Sequence, residues 1–124
     1  MSDCIDITGV CLRTSEMADA GRGVFATRDF TPGDVVERGV MYRLRNVCGH
    51  ENPHLFTWSD DRTVWAAGSG YLPFYNHSDV PNIRKDGNLL NDTMIVVALK
   101  HIKAGEELVG TYSSKSWRRC FNTF

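Results

Sequence analysis

Short apolar runs separated by polar turns predict a chain built mainly of β-strands. Residues 24–27, 35–42 and 108–112 are rich in β-branched and aromatic residues and are bounded by turn signals. Residues 94–99 form a continuous apolar run, which is typical of a strand buried on both faces. The Thr-Pro-Gly-Asp sequence at 31–34 has proline at the second position, as a β-turn prefers, and separates the first two strands.

The rest of the pattern adds no helix and no domain boundary. Residues 45–63 are polar and irregular except at 55–58, which predict either a short helical turn or a strand. No segment keeps a helical period for more than about two turns. The chain has no internal repeat, low-complexity tract or linker, so residues 1–124 are expected to form one mostly-β domain of many short strands.

Composition excludes several classes of protein. The chain has 124 residues, of which 42% are hydrophobic and 23% charged, as in ordinary globular domains rather than disordered or coiled-coil proteins. No apolar run approaches the ~20 residues of a membrane span, and the N-terminus lacks the pattern of a secretory signal. The net charge of −1 does not favour direct nucleic-acid binding. We therefore expect an intracellular protein that binds neither membrane nor nucleic acid.

The cysteines are scattered and predict no disulfide framework. The four cysteines form no CxxC pair and are expected to be reduced thiols. Cys48, His50 and His54 form a C-x-H-x3-H string of residue types that bind Zn²⁺. No fourth ligand is evident nearby, and Pro53 would break a helix that aligned the histidines. We expect a surface loop here and no metal site.

Three motifs carry the candidate chemistry. The first is Gly21-Arg22-Gly23-Val24-Phe25-Ala26, which fits the dinucleotide fingerprint G-x-G-x-x-G/A in letters only. Polar residues precede it, and a Pro-Gly pair follows too soon for a crossover helix, so a Rossmann unit is rejected. Its glycines would let a ligand approach the backbone closely, or they would simply form a tight turn.

The second and third motifs are equally ambiguous when each is considered alone. Residues 74–82, Phe-Tyr-Asn-His-Ser-Asp-Val-Pro-Asn, concentrate polar side chains beside a Pro-Asn turn, which favours either a binding site or a hydrogen-bonded turn. Residues 105–112, Gly-Glu-Glu-Leu-Val-Gly-Thr-Tyr, combine a turn with a strand that ends on tyrosine. In this order, the three motifs resemble those of the SET-domain family of protein lysine methyltransferases, in particular its compact viral-type members.

The resemblance implies a SET fold, with several small sheets and a pseudoknot formed by the C-terminal segment, and a motif-bearing core at 21–112. It also implies that S-adenosylmethionine is the methyl donor, and it assigns roles to particular residues. Tyr112 would be the catalytic tyrosine beside the transferring methyl. The residues implied to contact the cofactor are Arg22, Gly23, Val24, Phe25, Asn76, His77 and, as an aromatic beyond the catalytic tyrosine, Trp117.

A second set of residues is implied to form the channel for the substrate lysine. Its candidates are Tyr71, Tyr75 and Gly110, and Trp58 is a further aromatic. Core packing is the alternative for each of these three aromatics, and it is the favoured one for Trp58. Many relatives have a bulky residue at the position of Gly110, so we expect room for a dimethyl or trimethyl product unless another side chain fills it. Many also have arginine at the position of Pro73 and a cysteine-rich zinc segment after the catalytic tyrosine. Residues 113–124 contain only one cysteine, Cys120, so we expect no zinc segment there.

The chemistry of methyl transfer agrees with these residue types. A lysine amine has an ordinary pKa of about 10.4, so neutral amine at pH 7 costs roughly 4–5 kcal/mol. An apolar channel and the positive sulfonium both disfavour the ammonium form, so no strong general base is required. The remaining task is to align the amine and the methyl carbon about 3 Å apart.

The resemblance therefore predicts a protein lysine N-methyltransferase with a protein substrate. A histone tail is favoured by family frequency and would place the enzyme in the nucleus, and a lysine of a non-histone protein is the alternative. An acidic surface around 59–61, with Glu37 and Glu51, could attract a basic peptide, and the favoured alternative is that these charges are simply solvated. A second copy of the chain is a candidate partner, since it could complete the lid of the site. The alternative is a non-catalytic SET-fold module that binds protein.

Overall fold

The computed structural model describes residues 6–17, 20–52 and 54–111. Short 3₁₀ helices occupy Gly49–Glu51 and Leu72–Phe74. The strands are β1 (Asp6–Ile7), β2 (Val10–Thr14), β3 (Arg22–Ala26), β4 (Val35–Leu44), β5 (Phe56–Thr57), β6 (Trp65–Gly68), β7 (Asn76–His77), β8 (Ile83–Asn88), β9 (Thr93–Ala98) and β10 (Glu107–Gly110).

The larger sheet has six strands and is organised around the long strand β4. Its order is β5-β6-β4-β9-β8, and β1 also pairs with β4. The first half of β4 pairs with β9 and the second half with β6, both antiparallel. A register irregularity between Val35 and Glu37 lets Glu37, Gly39 and Met41 share the buried face of β4. This places a glutamate at a core position.

The smaller sheet has four strands in the order β2-β3-β10-β7. β3 pairs antiparallel with both β2 and β10, whereas β10 pairs with β7 in parallel. Parallel neighbours cannot be joined by a tight hairpin, and here the connection between β7 and β10 contains the whole β8–β9 hairpin. The smaller sheet therefore joins three segments that are far apart in sequence.

The fold class predicted from the sequence is confirmed: the chain is mostly β, with short strands in small sheets. The strands expected at 24–27, 35–42, 94–99 and 108–112 all occur, within a few residues of those limits. The ambiguous run at 55–58 contains the short strand β5 rather than a helical turn. The crossing of the C-terminal segment that would complete a pseudoknot lies outside the described residues.

Two of the described strands, β6 and β8, carry no signal strong enough to predict them. β8 reads Ile-Arg-Lys-Asp-Gly-Asn and β6 reads Trp-Ala-Ala-Gly, and neither has the β-branched content typical of strands. Each pairs over its full length with a strand of the central sheet. Tertiary pairing therefore overrides local propensity in these segments.

Among the described residues, no helix has the length and apolar character needed to cross a bilayer.

The second 3₁₀ helix packs on the larger sheet through Leu72. This side chain is fully buried. A Cβ added to Gly39 on β4 would lie 2.7 Å from Leu72 Cδ1, and one added to Gly68 on β6 would lie 2.8 Å from Leu72 Cβ. Both contacts are too close for a real side chain, so the two glycines provide the space that Leu72 fills. The residues leading into β7 are thereby fixed against the sheet.

We expect Leu72→Ala to lower the free energy of unfolding by about 2–5 kcal/mol, because it removes buried methyl groups and leaves a cavity. The matched control is Leu90→Ala, since Leu90 is 99% exposed at the tip of the β8–β9 hairpin. That substitution should change stability by less than about 0.5 kcal/mol. Urea unfolding of both variants measures the difference, and equal effects would contradict the packing described for Leu72.

Candidate active site

The three sequence motifs meet in the smaller sheet. β3 carries Arg22–Ala26, β7 carries Asn76–His77 and β10 carries Glu107–Gly110. β10 lies between the other two, with Leu108 opposite Val24 and Val109 opposite Asn76. Residues separated by 30 to 80 positions in the chain therefore line one surface.

A hydrogen-bonded group of side chains forms where the motifs touch. The Asn76 side-chain NH₂ donates to the Arg22 carbonyl oxygen at 3.0 Å and to Glu107 Oε2 at 2.8 Å. The Ser15 hydroxyl donates to the other oxygen of Glu107 at 2.7 Å. A Cβ at Gly23 would collide with Glu107 Oε2, so this glycine is required for the close approach. Glu107 thus joins all three motifs.

The first motif presents backbone rather than side chains. Val24 is completely buried and Phe25 is 3% exposed, so both side chains belong to the core. The guanidinium of Arg13 on β2 covers the Phe25 ring at 3.8 Å from its centroid. Arg22 is exposed. Contacts of Val24 and Phe25 with a cofactor would therefore have to use their peptide groups, as the family resemblance implies.

The residues after Asn76 are held against the end of β10. His77 Nε2 lies 2.8 Å from Asp79 Oδ1, and the His77 side chain is 12% exposed. The Ser78 N–H donates to the Gly110 carbonyl oxygen at 2.9 Å, and the Thr111 hydroxyl donates to the Ser78 carbonyl oxygen at 3.0 Å. The chain is thus fixed beside the second motif up to the residue before Tyr112.

Asn82 is a structural contributor that the sequence predictions omitted. It is 8% exposed, and its side chain bonds β10 through both polar atoms. Its Nδ2 donates to the Glu107 carbonyl oxygen at 2.9 Å, and its Oδ1 accepts the Val109 N–H at 2.8 Å. The sequence did place Asn82 at the end of the second motif. However, the Pro-Asn pair there predicted only a local turn and not a long-range contact with β10.

The channel tyrosines flank the 3₁₀ helix Leu72–Phe74 and share one partner, Glu37. Tyr75 is fully buried, and its hydroxyl donates to Glu37 Oε1 at 2.8 Å. The Tyr71 N–H donates to Glu37 Oε2 at 2.9 Å. Tyr71 itself is only partly buried. Tyr75 thus lies in the core, and the channel roles of both tyrosines stay predictions.

Burial changes the ionisation of this group. Burial raises the pKa of Glu37, although the hydrogen bonds from Tyr75 and Tyr71 favour its charged form. Burial and the neighbouring Glu37 carboxylate raise the pKa of the Tyr75 hydroxyl above its ordinary range. Burial lowers the pKa of Lys85 to about 8, while the Glu37 carboxylate acts in the opposite direction. Glu37 is therefore not part of an acidic surface around 59–61, which corrects the sequence interpretation.

Gly110 does not leave open space on its core side. A Cβ added there would lie 2.9 Å from Ile83 Cδ1 on β8. Ile83 is 1% exposed and so occupies the volume that a bulkier residue would need. We expected room for a dimethyl or trimethyl product unless another side chain filled the space beside Gly110, and Ile83 fills it on the core side. Gly110 alone therefore gives no reason to expect a roomier site.

Trp58 has a structural role in the described part of the chain. It is 3% exposed, and its indole N–H donates to Asp92 Oδ1 at 2.8 Å. Arg43 pairs with the same carboxylate at 3.0 Å. Hydrogen bonds from Arg43 and Trp58 hold the pKa of Asp92 below its usual range. This agrees with core packing, the favoured alternative for Trp58.

Two predicted site residues, Tyr112 and Trp117, lie outside the described residues.

The two histidines of the Cys48-His50-His54 string have other neighbours. His50 packs edge-on against the Trp65 ring, whereas His54 Nδ1 lies 3.2 Å from the Pro73 carbonyl oxygen. Within residues 6–17, 20–52 and 54–111, no three histidine, cysteine or acidic side chains are grouped to hold a metal ion.

We expect Gly23→Ala to destabilise the protein by about 1–3 kcal/mol, because the new methyl displaces Glu107 and breaks its bond to Asn76. The cost should be smaller in a Glu107→Ala background, where the carboxylate is already absent. Gly21→Ala is the control, because a Cβ there meets nothing within 4 Å. Since φ at Gly21 is +70°, this substitution should still lower the free energy of unfolding by about 1 kcal/mol. That loss should be the same with and without Glu107→Ala. Urea unfolding tests this, and additive costs for Gly23→Ala and Glu107→Ala would contradict it.

Lys85 predicts a specific pH dependence of stability. Between its folded pKa of about 8 and its ordinary value of 10.5, the unfolded chain binds a proton that the folded chain does not. Stability due to Lys85 therefore rises as pH increases through this window. Between pH 7.5 and pH 10, the free energy of unfolding of the wild type should rise by roughly 2–3 kcal/mol more than that of Lys85→Met. Unfolding measured at both pH values checks this, and parallel profiles would contradict it.

Several solved structures resemble this fold. A candidate histone methyltransferase of Plasmodium falciparum superposes with a TM-score of 0.68 at 22% identity, covering 85% of this chain and 93% of that one. An active polycomb repressive complex 2 in the basal state gives a TM-score of 0.71 at 26% identity over 86% of this chain. The polycomb repressive complex 2 of Chaetomium thermophilum gives a TM-score of 0.68 at 24% identity over 87% of this chain.

The lengths of these relatives differ greatly. This chain spans only 15% of the matched chain of the active polycomb complex and 16% of the Chaetomium thermophilum chain. No curated protein matches the sequence at a significant level. The SET domain family model matches residues 21–113, well over half of the chain and all three motifs that meet around β10. The chain therefore belongs to the SET domain family.

Proposed function

We propose that this chain is a protein lysine N-methyltransferase that transfers a methyl group from S-adenosylmethionine to a lysine side chain. The observation that carries the proposal is the convergence of the three motifs on β3, β10 and β7 in a member of the SET domain family. We further propose that residues 1–124 form one SET domain with its motif-bearing core at 21–112.

The polar group around Asn76 suits the amino-acid end of S-adenosylmethionine. Both described bonds of the Asn76 side chain use its NH₂ group, so its carbonyl oxygen is the atom suited to accept a bond from the cofactor's ammonium. The Glu107 carboxylate beside it adds negative charge. The absence of a side chain at Gly23 lets the Glu107 carboxylate and the Asn76 amide lie against the β3 backbone. The other residues proposed to contact the cofactor are Arg22, Val24, Phe25, His77 and Trp117.

The proposed acceptor side uses apolar and aromatic surroundings rather than a strong base. When bound, the cofactor supplies a methyl group on a positively charged sulfonium. The residues proposed to orient the lysine amine toward that methyl are Tyr71, Tyr75, Gly110 and Tyr112. Desolvation lowers the pKa of an amine, as the buried environment already does for Lys85 of this chain. Neutral amine would then be available near physiological pH.

Histone tails are the proposed substrate class. The Chaetomium thermophilum polycomb complex has been solved with histone H3 trimethylated on a lysine and also with S-adenosylmethionine. These are properties of that complex, and they support the choice of histones as the first substrates to test here. A nuclear location would follow from a histone substrate, and a second copy of the chain is proposed as the partner that completes the lid.

Tyr112→Phe should bind S-adenosylmethionine with wild-type affinity but transfer methyl groups roughly 100-fold more slowly, because the hydroxyl that orients the reacting groups is lost. Calorimetry measures binding, and tritiated methyl transfer to core histones measures the reaction. The matched control is Tyr42→Phe, since Tyr42 is 60% exposed on β4. It should behave like the wild type.

Two results would contradict the proposed function. A chain that binds no S-adenosylmethionine would lack the proposed donor altogether. A chain that binds the donor but transfers no methyl group to histones or to histone-tail peptides would favour the non-catalytic SET-fold module.

A further inference from the structure

Glu37 is a buried carboxylate that the proposed reaction does not use. It lies on β4 and is 0% exposed. Placing a carboxylate in a protein interior is costly unless its oxygens receive hydrogen bonds or a counter-charge. A fully buried glutamate in the middle of a strand therefore needs a structural or functional reason.

Both oxygens of Glu37 hold the segment that leads into β7. Oε1 accepts the Tyr75 hydroxyl at 2.8 Å, and Oε2 accepts the Tyr71 N–H at 2.9 Å. The preceding residue, Gly70, has φ +56°, and a Cβ there would collide with Glu37 Oε2. The chain therefore turns closely around the carboxylate, in a conformation that glycine adopts most readily.

The same segment is tied to β4 at its start. The Val40 N–H donates to the Ser69 hydroxyl at 2.9 Å, and the Ser69 N–H donates to the Val40 carbonyl oxygen at 3.0 Å. Residues 69–75 are thus attached to β4 at Ser69 and again through Glu37. Tyr75 lies within the second motif and is the last residue before β7.

The surroundings of Glu37 make its charge as important as its shape. Lys85 of β8 provides a positive charge, and its Nζ lies 5.7 Å from the centroid of the Tyr75 ring. Ile7 of β1 contributes an apolar side chain beside Gly70. A glutamine in place of Glu37 would offer one acceptor oxygen to two donors and would remove the negative charge that acts on Lys85.

The cofactor side of the site has separate supports. Within the described part of the chain, the Asn76 side chain bonds the Arg22 carbonyl oxygen and Glu107, whereas the Glu37 carboxylate bonds Tyr71 and Tyr75. A change at Glu37 should therefore disturb the tyrosines more than the Asn76 side chain. This difference separates a positioning role from a general loss of structure.

We propose that Glu37 is a positioning residue for the acceptor side of the site: its carboxylate bonds the buried Tyr75 hydroxyl and the Tyr71 N–H, and so fixes the position of Tyr71, the partly buried tyrosine of the proposed lysine channel. This inference rests on the proposed methyltransferase function. Glu37 acts through the two tyrosines and does not itself contact the reacting atoms.

The test compares Glu37→Gln with the wild type and with Glu16→Gln, the same change at an exposed position. We expect kcat/KM for a histone-tail peptide to fall by about tenfold or more in Glu37→Gln, because small displacements of orienting groups are costly. The Kd for S-adenosylmethionine should stay within about threefold of the wild type, since Asn76 is held independently. Glu16→Gln should match the wild type in both measurements.

A double-mutant cycle with Tyr75→Phe tests the mechanism. Tyr75→Phe removes one of the two bonds to the carboxylate and keeps the ring, so it remains informative if Glu37→Gln does not fold. The two substitutions should be non-additive in kcat/KM, because each breaks the same hydrogen bond. Additive effects, or wild-type kcat/KM in either single variant, would overturn the inference.

The outcomes distinguish this inference from the proposed function. Transfer by the wild type with equal transfer by Glu37→Gln would overturn the role of Glu37 alone. Equal losses in cofactor affinity and in acceptor kcat/KM would also overturn it, because they indicate a general structural effect. No transfer by the wild type would overturn the proposed function, and the positioning role with it.

Discussion

The pairing of β10 on both of its edges is the constraint on which the candidate site depends. One edge meets β3 in antiparallel register, and the other meets β7 in parallel. β7 contains only two residues, and within the described part of the chain β10 is its sole strand partner. Such a short strand has little stability of its own. The first and second motifs therefore come together because the third pairs with both, and the direct bond from Asn76 to the Arg22 carbonyl oxygen adds to this contact.

Two buried polar residues support this arrangement from opposite sides. Asn82 bonds the backbone of β10 with its amide, and Glu37 bonds the segment before β7 with its carboxylate. In each case the side chain satisfies backbone groups that short, irregular strands leave without a ladder partner. The middle motif is thus held by specific polar contacts more than by regular sheet, which suits a surface that must fit a ligand closely.

The sequence predicted the fold class well because β4 and β9, which lie at the centre of the larger sheet, are rich in valine and other residues that favour strands. It could not predict β8, whose polar residues form a strand only through pairing with β9. The order of the motifs predicted the residues that meet around β10, since the family resemblance supplied the long-range contacts. Glu37 was assigned to an acidic surface, because a one-residue register irregularity decides which face of a strand a residue occupies. Likewise, the space at Gly110 depends on Ile83, which lies 27 residues earlier.

The parallel contact between β7 and β10 also bears on the order of folding. The β8–β9 hairpin and the β4–β9 pairs can form as soon as their residues are synthesised, whereas β3 must wait for a strand that begins more than 80 residues later. Contacts of such long sequence separation pay a large loop-closure entropy and form late. A nascent chain would therefore hold the larger sheet before it has any ligand-binding surface. The surface would appear in one final step, when β10 inserts between its two neighbours.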